Sequence, residues 1–191
     1  MPWMIAAVAF VALAVSIAPR RGGDAAAGRE PPPAALDAPA GAGQPPDLSQ
    51  LTPRDAADRL FDRVMRLQEQ GKQDSVTFFV PMALAAYSRL APLDADARFH
   101  LGTIGLAGGG RELARMARAA ADTILSARPT HLLGLVLGAS ASKALGDTAA
   151  QRRFNARLID AAPAELATPL DEYLQHRPVI DTALRAARAT P

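Results

Sequence analysis

Residues 130–163 read THLLGLVLGASASKALGDTAAQRRFNARLIDAAP, and this stretch decides the fold class. Its apolar side chains recur at helical spacing in two runs, namely Leu132, Leu133, Leu135, Val136 and Leu137, then Phe154, Leu158 and Ile159. Between the runs, Gly146 and Asp147 provide a turn and a helix cap. Thr130 is expected to cap the first helix, and Pro163 to end the second. The stretch therefore predicts a helical hairpin.

The same pattern occurs in the preceding residues, 94–129. Asp94 is a cap, and apolar residues at helical spacing follow it up to the glycines at 108–110. A second apolar run then extends as far as Pro129. Pro129 and Pro163 are about 34 residues apart, and Pro92 precedes Pro129 by about 37, which is the spacing of a helical-hairpin repeat.

An earlier unit covers residues 52–91. Thr52 and Pro53 are typical of a helix start, and the first helix is expected to end near Gly71. Asp74 or Ser75 then begins a second helix that ends before Pro92. Pro81 falls inside this second helix, so the helix is either kinked or begins later than Ser75.

Residues 51–163 resemble the tetratricopeptide repeats (TPR) of bacterial proteins. The likeness rests on six features of the sequence, namely the Leu101-Gly102 pair, the Gly146-Asp147 turn, Ala150, Phe154, Leu158 and Pro163. The resemblance implies an all-α fold, a TPR-like stack of antiparallel helical hairpins with about three repeats. An N-terminal apolar helix, read from the sequence of residues 3–18, is expected to precede the stack. Residues after Pro163 form a short helix and a final helix that cap the open end of the stack.

Such a stack carries a groove built from the first helix of each hairpin, where partner peptides or helices bind. The resemblance implies eight groove residues from three repeats, namely Phe61, Met65 and Gln68, then Phe99 and Thr103, then Val136, Ser140 and Lys143. Core packing or plain solvent exposure is the alternative interpretation for each of them.

The N-terminal residues 1–21 differ from the rest of the chain. Residues 3–18 read WMIAAVAFVALAVSIA, without a charge, and Pro19, Arg20 and Arg21 end the run. At about 1.5 Å per residue the run is shorter than the roughly 30 Å hydrocarbon core, so it is a short membrane anchor or a cleaved signal segment. The anchor residues named for this segment are Trp3, Phe10, Ile17, Arg20 and Arg21.

The anchor interpretation places the protein in a bacterial inner membrane as a single-pass protein. Arg20 and Arg21 favour a cytoplasmic helical domain, because basic residues flanking a membrane segment stay inside; a periplasmic domain remains the alternative. Residues 22–50 are rich in proline, alanine and glycine and lack apolar periodicity, so they form a linker. Residues 51–191 form the helical domain.

The sequence contains no recognisable catalytic, cofactor-binding or metal-binding motif. Cysteine is absent, and the three histidines, His100, His131 and His176, form no HxxxH or HExxH pair. His100 is expected to be a structural or surface histidine, and His131 a surface residue in the first turn after Thr130. Asp94 and Asp96 are interpreted as acidic residues at a helix start. We therefore predict no enzyme activity, no cofactor and no small-molecule substrate.

The net charge of +2 is too small for nucleic-acid binding. The sequence instead predicts a membrane-anchored adaptor or scaffold that binds a protein partner at the membrane surface. The alternatives are a structural or assembly subunit of a larger membrane complex and, less favoured, an enzyme with an unrecognised site.

Overall fold

The computed structural model describes residues 51–167 and 169–189, and within them helices are the only regular secondary structure. The eight helices are α1 (Pro53–Glu69), α2 (Gln73–Ser88), α3 (Ala95–Gly108), α4 (Arg111–Ala127), α5 (Leu132–Leu145), α6 (Thr148–Ala167), α7 (Asp171–Gln175) and α8 (Arg177–Ala189). The all-α prediction is confirmed for this part of the chain.

The N-terminal predictions lie outside the described residues. They concern the linker at residues 22–50 and the anchor, with its residues Trp3, Phe10, Ile17, Arg20 and Arg21. Among the residues that the structure describes, no helix combines the length and the apolar character needed to cross a membrane.

Three of the four predicted helix caps are formed; at one of them the Asp147 carboxylate accepts the backbone N–H of Ala150 at 2.8 Å. The Thr52 hydroxyl oxygen accepts the backbone N–H of Asp55 at 3.1 Å, and the Asp94 carboxylate accepts that of Ala97 at 2.7 Å. The prediction for Thr130 is wrong, because His131 precedes the first residue of α5 and makes no side-chain cap. The Thr130 hydroxyl instead donates to Glu165 Oε1 at 2.6 Å.

Two prolines lie inside helices. Helix α2 begins at Gln73 and continues through Pro81, and α6 continues through Pro163 to Ala167. The prediction that Pro163 ends its helix is therefore wrong. Both prolines are on the exposed side of their helices, and buried neighbours such as Val80 and Ala162 hold the surrounding turns against other helices.

The helices pack in chain order, each of the first five against the next. Short glycine-containing connections join α1 to α2, α3 to α4 and α5 to α6, at Gly71, Gly109-Gly110 and Gly146. Helix α3 also packs against both α1 and α5, so these three helices form one side of the domain. Helix α8 returns to pack against α5 and α6.

The core consists of two clusters of buried apolar side chains. The first lies among α1, α2 and α3 and includes Val64, Phe79 and Ile104. The second joins α4, α5 and α6 to α7 and α8 and is completed by Ile180 and Leu184. Helix α3 therefore belongs mainly to the first cluster, and its Phe99 reaches the second.

Candidate functional site

A group of polar side chains from four parts of the chain meets beside α1 and α3. We call it the histidine cluster; its members are Arg54 and Asp58 from α1, Tyr87 from α2, Asp96 and His100 from α3, and His176 between α7 and α8. Residues four apart on a helix share a face, which explains why α1 and α3 each contribute a pair. Tertiary packing brings Tyr87 and His176 to these two pairs.

The Tyr87 hydroxyl determines which nitrogen of His100 carries a proton. It donates to Asp58 Oδ1 at 2.5 Å and lies 2.7 Å from His100 Nδ1. Because a hydroxyl has one proton, His100 Nδ1 must be the donor in the second contact. Nδ1 also lies 3.2 Å from Asp58 Oδ1. In neutral His100 the other nitrogen, Nε2, therefore carries a lone pair.

That lone pair points toward His176 and Asp96. His100 Nε2 lies 3.0 Å from His176 Nε2 and 3.6 Å from Asp96 Oδ1, and His176 Nε2 lies 2.9 Å from Asp96 Oδ1. Asp96, His100 and His176 are thus placed as three metal ligands could be, each offering one atom. A single proton on His176 Nε2, shared between His100 and Asp96, also satisfies these contacts.

Arg54 draws three carboxylates around the cluster. Its guanidinium donates to Asp58 Oδ2 at 2.8 Å, to Asp94 Oδ2 at 3.0 Å and to Asp96 Oδ2. Burial opposes the charge of Arg54, but these carboxylates outweigh it and hold the pKa of Arg54 above its ordinary value. Arg54 thereby fixes Asp96 through Oδ2 and leaves Oδ1 facing the histidines.

Burial and charge act in opposite directions on the two titratable groups of α3. Burial lowers the pKa of His100 below its ordinary value, although Asp96 and Asp58 act to raise it. Burial acts to raise the pKa of Asp96, but the hydrogen bond from His176 and the charges nearby outweigh it, and that pKa is lowered. A neutral His100 beside a charged Asp96 is the result.

Aromatic rings fix the planes of the two histidines. Phe61 stacks on His100 with ring centroids 3.9 Å apart, and Phe99 lies against His176 with centroids 5.0 Å apart. His100 is 6% exposed. The imidazole nitrogens are therefore held in place and largely shielded from solvent.

A pocket of about 460 Å³ adjoins the histidine cluster and shares His176 with it. We call it the α1–α3–α8 pocket; it is lined by Phe61, Met65, Gln68, Glu69, Phe99, Thr103, His176 and Val179. Five of the eight predicted groove residues therefore line a single pocket, whose volume lies in the range of roughly 300–1,000 Å³ usual for ligand sites.

The three remaining groove residues lie elsewhere. Val136 is buried in the second core cluster, which also contains Ile180 and Leu184 of α8, so its side chain packs in the core. Ser140 and Lys143 are exposed on α5 and do not line the pocket. The groove itself stays a prediction; the packing of α8 beside α1 and α3, which places Val179 at this pocket, was not part of it.

Sequence reasoning missed the histidine cluster. One signal was present, since Asp96 and His100 are four residues apart on a predicted helix, a pattern that is neither HxxxH nor HExxH. His176 is 76 residues from His100, and no local pattern joins them. His131, predicted at the surface, is 3% exposed and lies within 3.2 Å of Glu172, so that prediction is wrong.

Comparison of the chain with protein-family models, with curated proteins and with solved structures found no match in any of the three.

Proposed function

We propose that the described helices are a TPR-like stack and that the chain is a membrane-anchored adaptor, whose α1–α3–α8 pocket holds a protein partner without catalysis. Three hairpins with short glycine-containing connections support the stack, as does the packing of α3 against both α1 and α5. The anchor at residues 1–21 remains a prediction from its apolar sequence.

One observation carries the proposal. Predicted groove residues of two successive hairpins, including Met65 of α1 and Thr103 of α3, line the same pocket. Val179 of α8 stands at this pocket and is 43% exposed. An apolar pocket with an exposed aliphatic side chain at its edge is the type of site that receives a buried anchor residue of a partner.

The lining of the pocket indicates the chemistry of the partner. Phe61, Met65 and Phe99 supply apolar walls, while Gln68 and Glu69 supply polar groups at the exposed end of α1. Glu69 makes no ion pair within residues 51–167 and 169–189. We therefore infer a partner segment with one large apolar side chain and a Lys or Arg nearby, which would pair with Glu69.

Site-directed photocrosslinking in the protein's own host cells tests this function. A photoreactive amino acid replaces Thr103 in the pocket or, as the control, Thr123, which is exposed on α4. We expect one protein to be crosslinked from position 103 and not from position 123. The crosslinked residue of that partner should be apolar, with a Lys or Arg nearby in the partner's sequence. Capture of lipid alone, or of the same proteins from both positions, contradicts the adaptor.

Two matched substitutions make the result specific. Val179→Asp places a charge in the pocket, and Leu174→Asp places one at a more exposed aliphatic residue, 58% exposed, that does not line it. The crosslink from position 103 should be lost in Val179→Asp and kept in Leu174→Asp. Stoichiometric co-purification of the crosslinked protein in mild detergent would favour the alternative function, a subunit of a membrane complex.

A further inference from the structure

We propose that Asp96, His100 and His176 form a binding site for one divalent transition-metal ion of the Zn²⁺ type. The ligand atoms are Oδ1 of Asp96 and the two Nε2 atoms of the histidines. Two imidazoles and one carboxylate suit Zn²⁺ and its first-row neighbours, whereas Mg²⁺ and Ca²⁺ prefer sites made of oxygen alone.

The distances between the three atoms fit a metal ion. They are 2.9, 3.0 and 3.6 Å. Zn²⁺ binds nitrogen and oxygen at roughly 2.0–2.2 Å, which in tetrahedral geometry separates neighbouring ligand atoms by about 3.3 Å. An ion can therefore lie at bonding distance from all three atoms, on one side of the plane that they define.

The contacts behind the ligands prepare them for a metal. His100 donates from Nδ1 to the Tyr87 hydroxyl and toward Asp58, which leaves the Nε2 lone pair directed at the site. A carboxylate or hydroxyl behind a histidine is the usual means of orienting a metal-binding imidazole. Asp96 is held through its other oxygen by Arg54, so Oδ1 stays available.

The charges around the site also favour a divalent cation. Arg54 contributes one positive charge, and the three carboxylates that it contacts, Asp58, Asp94 and Asp96, contribute three negative charges. These four groups leave an excess of two negative charges next to the two imidazoles. A divalent ion balances that excess, and the bond to Asp96 compensates the ion for its lost hydration.

Three protein ligands leave a further coordination position for water or for a donor atom of another molecule. The site connects α3 to the junction between α7 and α8, so the ion would fasten the C-terminal helices to the α1–α3 side of the domain. It shares His176 with the α1–α3–α8 pocket but does not depend on a partner binding there.

Metal binding to the full-length protein tests the proposal. The protein is purified in mild detergent, treated with a chelator, and titrated with Zn²⁺ in competition with a chromophoric chelator. We expect one Zn²⁺ per chain. His176→Ala and Asp96→Asn should each weaken binding by about 100-fold or more, and Asp58→Asn, behind His100, by about 10- to 100-fold.

The third histidine provides the matched control. His131 is buried, like His100, but lies outside the histidine cluster, so His131→Gln should leave Zn²⁺ affinity and stoichiometry unchanged. Circular dichroism checks that each variant keeps its helices. Absence of stoichiometric binding by the unmodified protein overturns the proposal, as does binding that His176→Ala leaves intact or that His131→Gln abolishes.

A measurement on the unmodified protein tests the site assignment without relying on any variant. In ¹⁵N NMR spectra of the histidine rings, Zn²⁺ should shift the Nε2 signals of His100 and His176 and leave His131 unchanged. Mg²⁺ at the same concentration should produce no such shift. Signals that respond at His131 alone, or equally to both ions, contradict the assigned site.

Discussion

The Tyr87 hydroxyl connects α2 to two other helices through one proton and one lone pair. It donates to Asp58 of α1 and accepts from His100 of α3, and the three groups lie within 3.2 Å of one another. Burial, followed by the hydrogen bond to Asp58 and its charge, raises the pKa of Tyr87 well above its ordinary value, so the proton stays on the hydroxyl. The contact is therefore a permanent link among the three helices.

We expect Tyr87→Phe to lower the free energy of unfolding by about 1–3 kcal/mol, because buried His100 and half-buried Asp58 each lose a hydrogen-bond partner. Urea denaturation followed by circular dichroism measures the change. Ser88→Ala, at the exposed neighbouring position, is the control and should change stability by less than about 0.5 kcal/mol. Equal stability of Tyr87→Phe and the unmodified protein would contradict the role assigned to this hydroxyl.

His131 is expected to make stability depend on pH. Its Nδ1 is buried without a hydrogen-bond partner, and its Nε2 lies 3.2 Å from Glu172 Oε1. Burial lowers its pKa below the ordinary value of 6.5, although Glu172 and Glu165 act to raise it and Arg128 acts to lower it further. At a pH slightly below 6.5 the unfolded chain therefore binds a proton that the folded chain does not.

It follows that His131 contributes stability above pH 6.5 and that this contribution is lost as the pH falls below that value. His131→Gln keeps an N–H for Glu172 but does not titrate. Urea denaturation between pH 7.5 and 5 should show a smaller loss of stability in the variant, the difference in slope approaching about 1.4 kcal/mol per pH unit at most. His100 titrates in both proteins and cancels in the comparison. Parallel curves for the two proteins would contradict this prediction.

Among the elements, α5 and α6 pack tightly against each other at a glycine of α5. A methyl group added to Gly138 would lie 2.6 Å from Cε1 of Phe154. The ring of Phe154 is in turn held against the guanidinium of Arg118, 4.5 Å from the ring centroid. Because the buried ring contacts both Gly138 and Arg118, it has little room to move away.

Gly138→Ala should therefore lower the free energy of unfolding by about 1–3 kcal/mol, despite the better helix propensity of alanine. Thermal and urea denaturation measure the loss, with Ser140→Ala on the exposed face of α5 as a control of near-zero effect. In the background of Phe154→Leu the penalty of Gly138→Ala should shrink, since the clash is with the ring. A penalty of the same size in both backgrounds would show that the ring is not its cause.

Local patterns predicted the elements of this fold better than their ends. Thr52 and Asp94 were predicted as caps because a hydroxyl or carboxylate before an apolar run satisfies free backbone N–H groups at a helix start. Pro163 was expected to end α6, but the turn beyond it is held by Glu165, which accepts from Thr130 and Tyr173 at 2.6 and 2.9 Å. Contacts between distant residues overrode the local signal there.

The histidine cluster was harder to predict from the sequence, because two of its members come from elements that only tertiary packing brings together. The pair on α3 follows helical spacing and could have been found by searching Asp-x-x-x-His. His176 and Tyr87, however, come from elements whose positions depend on how α8 and α2 pack. Five of the residues predicted for a groove lie on α1 and α3 and line one pocket, whereas Val179 reaches it only because α8 returns to this side of the domain.

In the molecule as a whole, α8 belongs to one of the two core clusters. Its Ile180 and Leu184 are buried with residues of α4, α5 and α6, and its main helix contacts are with α5, α6 and α7. The first cluster, among α1, α2 and α3, has its own apolar contacts. In stacked helices, stability comes largely from contacts between neighbouring units. A substitution that destabilises one cluster should therefore increase local opening more in the helices of that cluster than in the others.

Leu184→Ala is expected to destabilise the second cluster by about 2–5 kcal/mol, the usual range for truncating a buried leucine. Hydrogen exchange read by mass spectrometry should then show faster exchange in α5 and α6 and a smaller change in α1 and α2. Val179→Ala, on the exposed face of the same helix, is the control and should alter neither region. Because Phe99 and His176 also join α3 to the second cluster, α3 should respond to an intermediate degree. Equal acceleration of hydrogen exchange in α2 and α6 would mean that the two clusters unfold as one cooperative unit, which would contradict this prediction.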